Sequence, residues 1–390
     1  MTTPLPLDGV TVVSLEQAIA APLASRHLAD WGARVIKVER PGSGDFARDY
    51  DHVLNGQSSQ FVWVNRSKES LALDLKDEGD RAVLERLLGT ADVLIQNLAP
   101  GAAARLGLDA AGALARHPRL IACDVSGYGT GGPYSGKKAY DLLVQCETGF
   151  LSINGSEDQM AKCGLAIADI AAGMYVLQAI LMGLLRRGRT GLGMAVEVSL
   201  FDALTEWMSY PAMYAEGSGR APRRTGPYHA TIAPYGPFAC GDGRQVFLSV
   251  QSDREWVLFC RDVLGAPDLG SDPRFRTNPD RHRHRDDLRR LIEGRFAALS
   301  VAEALTLLEG AGIANASLNT VEDFLRHDQL LARGRAVTVG SPTGPVRSFL
   351  PAVSIAGLGP VMGPVPAVGE HNESILRELG QAKGDHGDRR

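Results

Sequence analysis

The chain has 390 residues, of which 44% are hydrophobic and 22% charged, and its formal net charge is −4. These values are typical of a folded globular protein large enough for two domains, and the net charge gives no general attraction to nucleic acid. The amino-terminal residues have neither a basic start nor an apolar core, so we expect no signal peptide. The five cysteines form no C-x-x-C pair, which predicts a reducing, cytoplasmic compartment.

The first half of the chain alternates predicted strands and helices. This alternation is typical of a mostly parallel sheet that is covered by helices. The predicted strands are 10–15, 34–39, 92–96, 120–125 and 194–200. The predicted helices are 22–31, 80–88, 102–115, a long helix from residue 169, and 201–214.

A change of composition divides the rest of the chain. Residues 216–228 are rich in Gly, Pro and Arg, which is typical of a linker. The segment that follows predicts a smaller α/β unit, and the polar residues 381–390 predict a disordered tail. The predicted elements are a strand at 245–250 and helices near 255–263, 286–298, 301–310 and 373–379.

One carboxylate, Asp169, lies in an otherwise uncharged run between Lys162 and Arg186. The apolar stretch 170–185 is shorter than the roughly 20 residues of a membrane span, so we expect a buried helix and no membrane partner. An aspartate at the start of a helix is either an N-cap, whose oxygen accepts a backbone N–H, or a reactive group. Small residues on both sides would let a bulky ligand approach it.

The turn after the first strand is expected at the edge of the sheet where such folds bind ligands. Residues 15–22 read Leu-Glu-Gln-Ala-Ile-Ala-Ala-Pro and lack the G-x-G-x-x-G pattern, which disfavours a nicotinamide dehydrogenase. The histidines show no metal-ligand spacing beyond His282-x-His284. We therefore predict no metal site.

Short motifs follow one another in a specific order along nearly the whole chain. They include Leu7-Asp-Gly9, Leu28-Ala-Asp-Trp-Gly-Ala33, Val35-Ile-Lys-Val-Glu-Arg-Pro-Gly42, Asn65-Arg-Ser-Lys68, Ala91-Asp-Val-Leu-Ile-Gln-Asn97, Val125-Ser-Gly-Tyr128 and Tyr140-Asp141. Together they resemble the class III CoA-transferases, a family that includes the α-methylacyl-CoA racemases. In this resemblance Asp169 falls where the family keeps its catalytic aspartate.

The resemblance implies an α/β fold with a Rossmann-like large domain, built from both ends of the chain, and a smaller α/β domain inserted between them. It also implies that two subunits interlock as a homodimer. We therefore predict a large domain at 1–215, a linker at 216–228, a small domain at 229–333, and a return to the large domain at 334–390.

The resemblance also implies the chemistry. Asp169 would attack an acyl-CoA thioester and become an aspartyl-CoA thioester, which is covalent catalysis by a carboxylate. Gln17 and Ile19 match the segment beside the thioester, whose backbone or Gln17 side chain could stabilise the oxyanion. No tightly bound cofactor is implied, because CoA and acyl-CoA are substrates.

The resemblance further assigns residues to the two substrates. Positive charges in a CoA nucleotide groove would bind its phosphates. The turn at 16–22 resembles members that act on C4–C5 dicarboxylates such as itaconate, mesaconate and citramalate, and a second carboxylate needs a cation. The groove positions are Arg40, Leu73, Lys76, Asn97, Leu98, Arg105, Lys138 and Tyr140, and the candidates for the second carboxylate include Arg48, Arg224 and His229.

Two other functions are alternatives to CoA transfer. A 2-methylacyl-CoA racemase would use a His-Asp pair where this chain has Tyr140-Asp141, and a tyrosine with a pKa of about 10 is a poor proton shuttle at neutral pH. A non-catalytic CoA-binding protein would leave Asp169 as a helix cap. We therefore favour transfer, with the donor, the acceptor and the choice between intermolecular and intramolecular transfer left open.

Overall fold

Six parallel strands form the main sheet of the structure, a computed structural model that describes residues 3–380. The strand order is β3-β2-β1-β4-β5-β6, so the predicted α/β class and parallel sheet are confirmed. The predicted disordered tail, 381–390, lies outside the described residues. The strands are β1 (Thr11–Leu15), β2 (Arg34–Glu39), β3 (Lys68–Ala72), β4 (Val93–Gln96), β5 (Ile121–Ser126) and β6 (Met194–Ser199).

Helices connect the parallel strands, as this pairing requires, and further helices follow in the rest of the described chain. In chain order they are α1 (Ala20–Asp30), α2 (Ser59–Asn65), α3 (Glu78–Leu88), α4 (Ala102–Leu106), α5 (Ala110–Arg116), α6 (Asp141–Glu147), α7 (Phe150–Ile153), α8 (Ile167–Thr190), α9 (Leu200–Trp207), α10 (Ser209–Ser218), α11 (Asp253–Leu258), α12 (Asn278–Arg283), α13 (Arg285–Phe296), α14 (Val301–Gly310), α15 (Val321–Phe324), α16 (Asp328–Ala332) and α17 (Asn372–Glu378).

The structure departs from the predicted elements at two places near the sheet. The predicted helix at 102–115 is two helices, because Gly107 adopts a left-handed backbone (φ 67°) that ends α4. Strand β3 was not predicted, since Lys68 and Ser70 interrupt its apolar pattern. Both side chains are nevertheless buried, because they bond to other buried polar groups.

The chain folds into two units. Among the described residues, the first unit takes 3–149, 163–209 and 333–380, and the second takes 150–162 and 210–332. Helix α10 continues across the predicted boundary at 215, and 216–228 belong to the second unit. Segment 150–162 joins that unit because Gly226 N donates to Gly155 O (2.8 Å) and the Arg224 guanidinium donates to Ser156 O (2.9 Å).

The second unit has its own core. Three antiparallel strands, β7 (Tyr235–Ala239), β8 (Gln245–Ser249) and β9 (Ala314–Ser317), form its sheet in the order β7-β8-β9. Trp256 and Phe259 are among the aromatic side chains buried against this sheet and the neighbouring helices. In the first unit, β10 (Ala336–Val339) and β11 (Val346–Phe349) form an antiparallel pair.

Helix α8 is long and apolar enough to cross a bilayer, by its length and composition alone, but buried core helices pass the same criterion. Its alanines and glycines, among them Ala168, Ala172 and Gly173, are buried. At Gly173 a Cβ atom would lie 2.6 Å from the carbonyl oxygen of Ala20 in α1. The glycine therefore permits the close approach of α1 and α8 that shapes the site described below.

Candidate active site

Asp169 is the third residue of α8 and is a half-buried residue. Ala166 precedes the helix as the N-cap residue, so Asp169 is not the cap. Within the described residues its carboxylate accepts no hydrogen bond and pairs with no cation. Burial, followed by the charge of Asp141, raises its pKa to about 7. Asp169 therefore has a raised pKa and a carboxylate without a hydrogen-bond or ion-pair partner among the described residues. Reactive groups often have such a perturbed pKa.

Asp141, the first residue of α6, fixes the start of α8. Its Oδ1 atom accepts from the backbone N–H of Ala168 (2.8 Å), and its Oδ2 atom accepts from Gln145 Nε2 (2.7 Å). Gln145 in turn accepts from Cys163 N (3.2 Å). Asp141 thus positions the backbone next to Asp169 and contributes the negative charge that helps to keep Asp169 protonated.

Tyr50 lies in the electrostatic surroundings of Asp169, and Tyr140 lies in those of Tyr50. Burial and the negative charges of Asp45 and Asp169, with a further effect of Tyr140, raise the pKa of Tyr50 to about 12. Tyr140 precedes α6 and is 62% exposed. Tyr50 therefore stays protonated at neutral pH and can donate a hydrogen bond. No motif or periodicity in the sequence distinguishes Tyr50.

The turn between β1 and α1 approaches the Asp169 helix from the sheet. Gln17 N donates to Asn97 Oδ1 (2.8 Å), and Asn97 Nδ2 donates to Gln17 O (2.8 Å), which ties the ends of β1 and β4 together. The strand order reverses between these two strands, where open α/β sheets bind ligands. The Ile19 side chain packs with Leu23 and other apolar groups and offers no polar atom.

Beneath this turn lies a group of four buried charges, Glu16, Lys37, Asp45 and Lys68, which we call the buried ionic cluster. Lys68 Nζ lies 2.6 Å from Glu16 Oε1, and Lys37 Nζ lies 2.8 Å from Asp45 Oδ2. The cluster was not recognised from the sequence. The sequence signal for it is Lys37, a lysine in the middle of the apolar strand Val35-Ile-Lys-Val38. A lysine in a fully buried strand requires a charged or polar partner.

A groove of about 330 Å³ opens at the carboxyl ends of β1, β2 and β3. Among the residues predicted to bind the CoA nucleotide, Arg40, Leu73, Lys76 and Leu98 line it. The Arg40 and Lys76 side chains are exposed and, within the described residues, unpaired. They leave two positive charges available at the mouth of the groove, where phosphates would bind.

The other predicted groove residues lie around this groove or hold its walls. Asn97 fixes the turn, as described above. Arg105 is exposed on α4, whose residues Ala102 and Leu106 line the groove. Lys138 is exposed in the segment that leads to Tyr140.

The three candidates for a second carboxylate have structural partners. Arg48 donates to both carboxylate oxygens of Glu39 (2.9 and 2.8 Å) and stacks over Phe61. Arg224 donates to backbone carbonyls of segment 150–162. His229 lines a cavity of about 290 Å³ within the second unit, and its Nδ1 atom accepts from two backbone N–H groups. Within residues 3–380, no cluster of three metal-ligating side chains is present.

Comparison with known proteins gives a consistent result. The family model described as CoA-transferase family III matches residues 7–372. The chain is 34% identical to the succinyl-CoA:glutarate CoA-transferase of Mus musculus, over 96% of this chain and 86% of that protein. It is 35% identical to the acetyl-CoA:oxalate CoA-transferase of Acetobacter aceti, over 88% and 89% of the two chains.

A solved structure gives the same assignment. A CAIB/BAIF family protein from Brucella suis superimposes with a TM-score of 0.83 at 33% identity, covering 97% of this chain and 100% of that one. The match of the family model spans both units of the fold, including Asp169 and the turn that faces it. The chain therefore belongs to CoA-transferase family III and is a class III CoA-transferase.

Proposed function

We propose that this enzyme moves CoA between an acyl-CoA and a C4–C5 dicarboxylate through an aspartyl-CoA thioester on Asp169. The observation that carries the proposal is the Asp169 carboxylate itself, which has a raised pKa and no partner among the described residues. The dicarboxylate class is supported by relatives named for glutarate, D-citramalate and L-malate. Itaconate and mesaconate remain candidate acceptors of the same class.

The chemical steps follow from covalent catalysis by a carboxylate. Asp169 attacks the thioester carbonyl, which gives a mixed anhydride and CoA thiolate. The thiolate then attacks the aspartyl carbonyl, which releases the donor as its carboxylate and leaves aspartyl-CoA. The acceptor carboxylate attacks aspartyl-CoA and expels the thiolate, and the thiolate takes the acceptor acyl group from the new anhydride. This last step restores Asp169.

The residues around Asp169 suit these steps. Backbone N–H groups of the turn at 17–20, or the Gln17 side chain, would stabilise the oxyanion of each tetrahedral intermediate. Arg40 and Lys76 would bind the phosphates of CoA, and Arg105, Lys138 and Tyr140 complete the proposed groove. The strand order supports calling the large unit Rossmann-like. Arg48, Arg224 and His229 remain candidates for the second carboxylate only if they exchange their present partners.

The decisive experiment incubates the protein with succinyl-CoA and separate acceptors, with CoA esters identified by mass spectrometry. Glutarate, itaconate, mesaconate, citramalate and malate test the dicarboxylate class, and benzoate is the monocarboxylate control. We expect a new dicarboxylyl-CoA that is absent with Asp169→Ala. Equal use of benzoate would contradict the dicarboxylate class, and an ester formed by Asp169→Ala would contradict the mechanism. Rearrangement of one CoA ester without an acceptor would identify intramolecular transfer.

We also propose that the enzyme is a homodimer. Met174, Leu181, Met182 and Leu185 are exposed on α8 at the spacing of one helix face. An exposed apolar face of this kind is typical of a subunit interface. Light scattering after size exclusion should give twice the 41.7 kDa mass of the chain, and a monomeric mass would contradict the proposal.

A cytoplasmic location remains part of the proposal. Cys123, Cys240 and Cys260 are buried as free thiols, which suits a reducing compartment. Fractionation of the source cells with an antibody to the protein would test the location.

A further inference from the structure

The buried ionic cluster is an unusual feature to find beneath a substrate-binding turn. The side chains of Glu16, Lys37, Asp45 and Lys68 are all fully inaccessible to solvent. Removing paired charges from water costs about as much as their attraction returns, and apolar replacements are often neutral or stabilising. Fold stability therefore does not explain why these charges are present, whereas a requirement for a defined geometry would.

Two side chains of the cluster bond to the backbone of the turn. Lys37 Nζ donates to the carbonyl oxygen of Glu16 (3.1 Å), and Asp45 Oδ1 accepts from the N–H of Ala18 (3.2 Å). Ala18 has a φ of 62°, a left-handed conformation that alanine rarely adopts without support. The hydrogen bonds from the cluster supply that support.

Lys68 and Glu16 connect the turn to the elements around it. Lys68 Nζ donates to Glu16 Oε1 (2.6 Å), to the carbonyl oxygen of Pro22 in α1 (2.9 Å) and to Asn65 Oδ1 at the end of α2 (3.0 Å). Glu16 Oε2 accepts from Ser25 on the next turn of α1 (2.6 Å). The pair thus joins the turn to the first two turns of α1, the helix that packs against α8 at Gly173.

We propose that Lys68 and Glu16 are positioning residues for acyl transfer, because their buried ion pair fastens the turn at 16–20 to α1 and α2 beside the Asp169 helix. Neither side chain touches substrate. Lys68 acts through its bonds to Glu16, Pro22 and Asn65. Glu16, itself a residue of the turn, acts through its bonds to Lys68 and Ser25. The inference rests on the proposed function for its kinetic consequence, while its structural consequence can be measured without any substrate.

The test uses the double variant Glu16→Gln with Lys68→Met in the full chain. It removes one positive and one negative charge, keeps an oxygen for Ser25 to donate to, and leaves Lys37 paired with Asp45. The matched control is Asp30→Asn with Arg66→Met. Asp30 forms buried ion pairs with Arg66 (2.7 Å) and Arg26 (3.1 Å) at the opposite end of α1, about 15 Å along the helix at 1.5 Å per residue. The Asp30→Asn change keeps an oxygen that can accept from Arg26.

Three measurements are made on each protein. Thermal unfolding verifies that the variant folds. Hydrogen exchange of peptides covering 15–24 reports how firmly the turn is held. Steady-state kinetics with the donor and acceptor found above separate kcat from the KM for acyl-CoA.

We expect the Glu16→Gln/Lys68→Met protein to fold, to exchange the amides of the turn at least about tenfold faster, and to lose about 10- to 100-fold in kcat with little change in KM. The control pair should leave exchange at 15–24 and kcat near those of the wild type. Unchanged exchange in the folded double variant would overturn the inference, as would an equal loss of kcat in the control.

The same data separate this inference from the proposed function. If the wild type transfers no CoA but the turn exchanges faster only in the Glu16→Gln/Lys68→Met protein, the function fails and only the structural part of the inference stands, that the pair holds the turn. If transfer is normal in both wild type and double variant, the function stands and the inference fails.

Discussion

Glu16 and Asp169 are two carboxylates of the same site in opposite environments. Glu16 is fully buried but contacts Lys68, Lys37 and Ser25, which hold its pKa below the usual range even though burial alone would raise it. Asp169 is half-buried and has no cation or donor among the described residues, so burial and Asp141 raise its pKa to about 7. The two pKa values differ because the carboxylates have different partners, not because one is more deeply buried.

The comparison distinguishes a carboxylate that holds the fold from one that is available to react. A carboxylate surrounded by cations is a poor nucleophile, because its charge is already neutralised and its oxygens are occupied. A carboxylate without partners is costly to ionise but is reactive once it is ionised. The four predictions below test this contrast, from the largest expected effect to the smallest.

Removing the unpaired carboxylate should have the largest effect. We expect Asp169→Asn to reduce CoA release from the donor by at least about 10³-fold, because an amide cannot form the anhydride. Single-turnover measurement of free thiol checks this result. Asp92→Asn, at a half-buried acid before β4, is the control and should retain activity. Comparable loss in both proteins would point to misfolding rather than to chemistry.

Moving α8 away from α1 should reduce the activity of Asp169 without changing any charge. In Gly173→Ala the new Cβ would lie 2.6 Å from the carbonyl oxygen of Ala20, so α8 must move away from the turn. We expect about a 10- to 100-fold loss in kcat, since misplacement of reacting groups by about 1 Å can cost 10²-fold. The control is Gly188→Ala, where a Cβ has open space. Unimpaired kcat in Gly173→Ala would show that the approach of the helices is not needed.

The pH profile of the first half-reaction should report Asp169 rather than Glu16. Burial lowers the pKa of Lys68 to about 7 as well, so the Glu16→Gln/Lys68→Met protein is measured alongside to separate the two titrations. Only ionised Asp169 attacks the thioester, and its pKa is about 7. The rate of the first half-reaction should therefore fall about tenfold per pH unit below 7 and level off above about 8. Stopped-flow measurement of thiol release between pH 5 and 9 checks this expectation. A rate that is flat from pH 5 upward would indicate that Asp169 ionises normally.

Stability should show the same titration with a smaller amplitude. The folded-state pKa of Asp169 lies above its unfolded value, so its contribution to stability is present in full below about pH 4 and is lost as pH rises through 7. Asp169→Asn removes this loss, and we expect it to be about 1–2 kcal/mol more stable than the wild type at pH 8, allowing for partial solvent screening. Urea unfolding at pH 4 and pH 8 checks the difference, which should vanish at pH 4.

Much of the fold follows from local sequence patterns. The strand at Arg34–Glu39 and the helix at Val301–Gly310 were predicted with the bounds that the structure shows. Apolar periodicity specifies such elements because each has one buried side or lies wholly in the core. Strand β3 escaped prediction because the partners that allow Lys68 and Ser70 to be buried lie far away along the chain.

The sequence alone determined that Asp169 is an isolated acid in an apolar run and that the motifs around it have the order of a CoA-transferase family. Only the tertiary structure decided that Asp169 has no partner among the described residues, while Glu16 has three. Likewise, Arg48 and Arg224 looked available in the sequence but have partners in the fold. The physical reason is that the state of a charge depends on its neighbours in space, and long-range contacts between β1, β2, β3 and α1 bring those neighbours together.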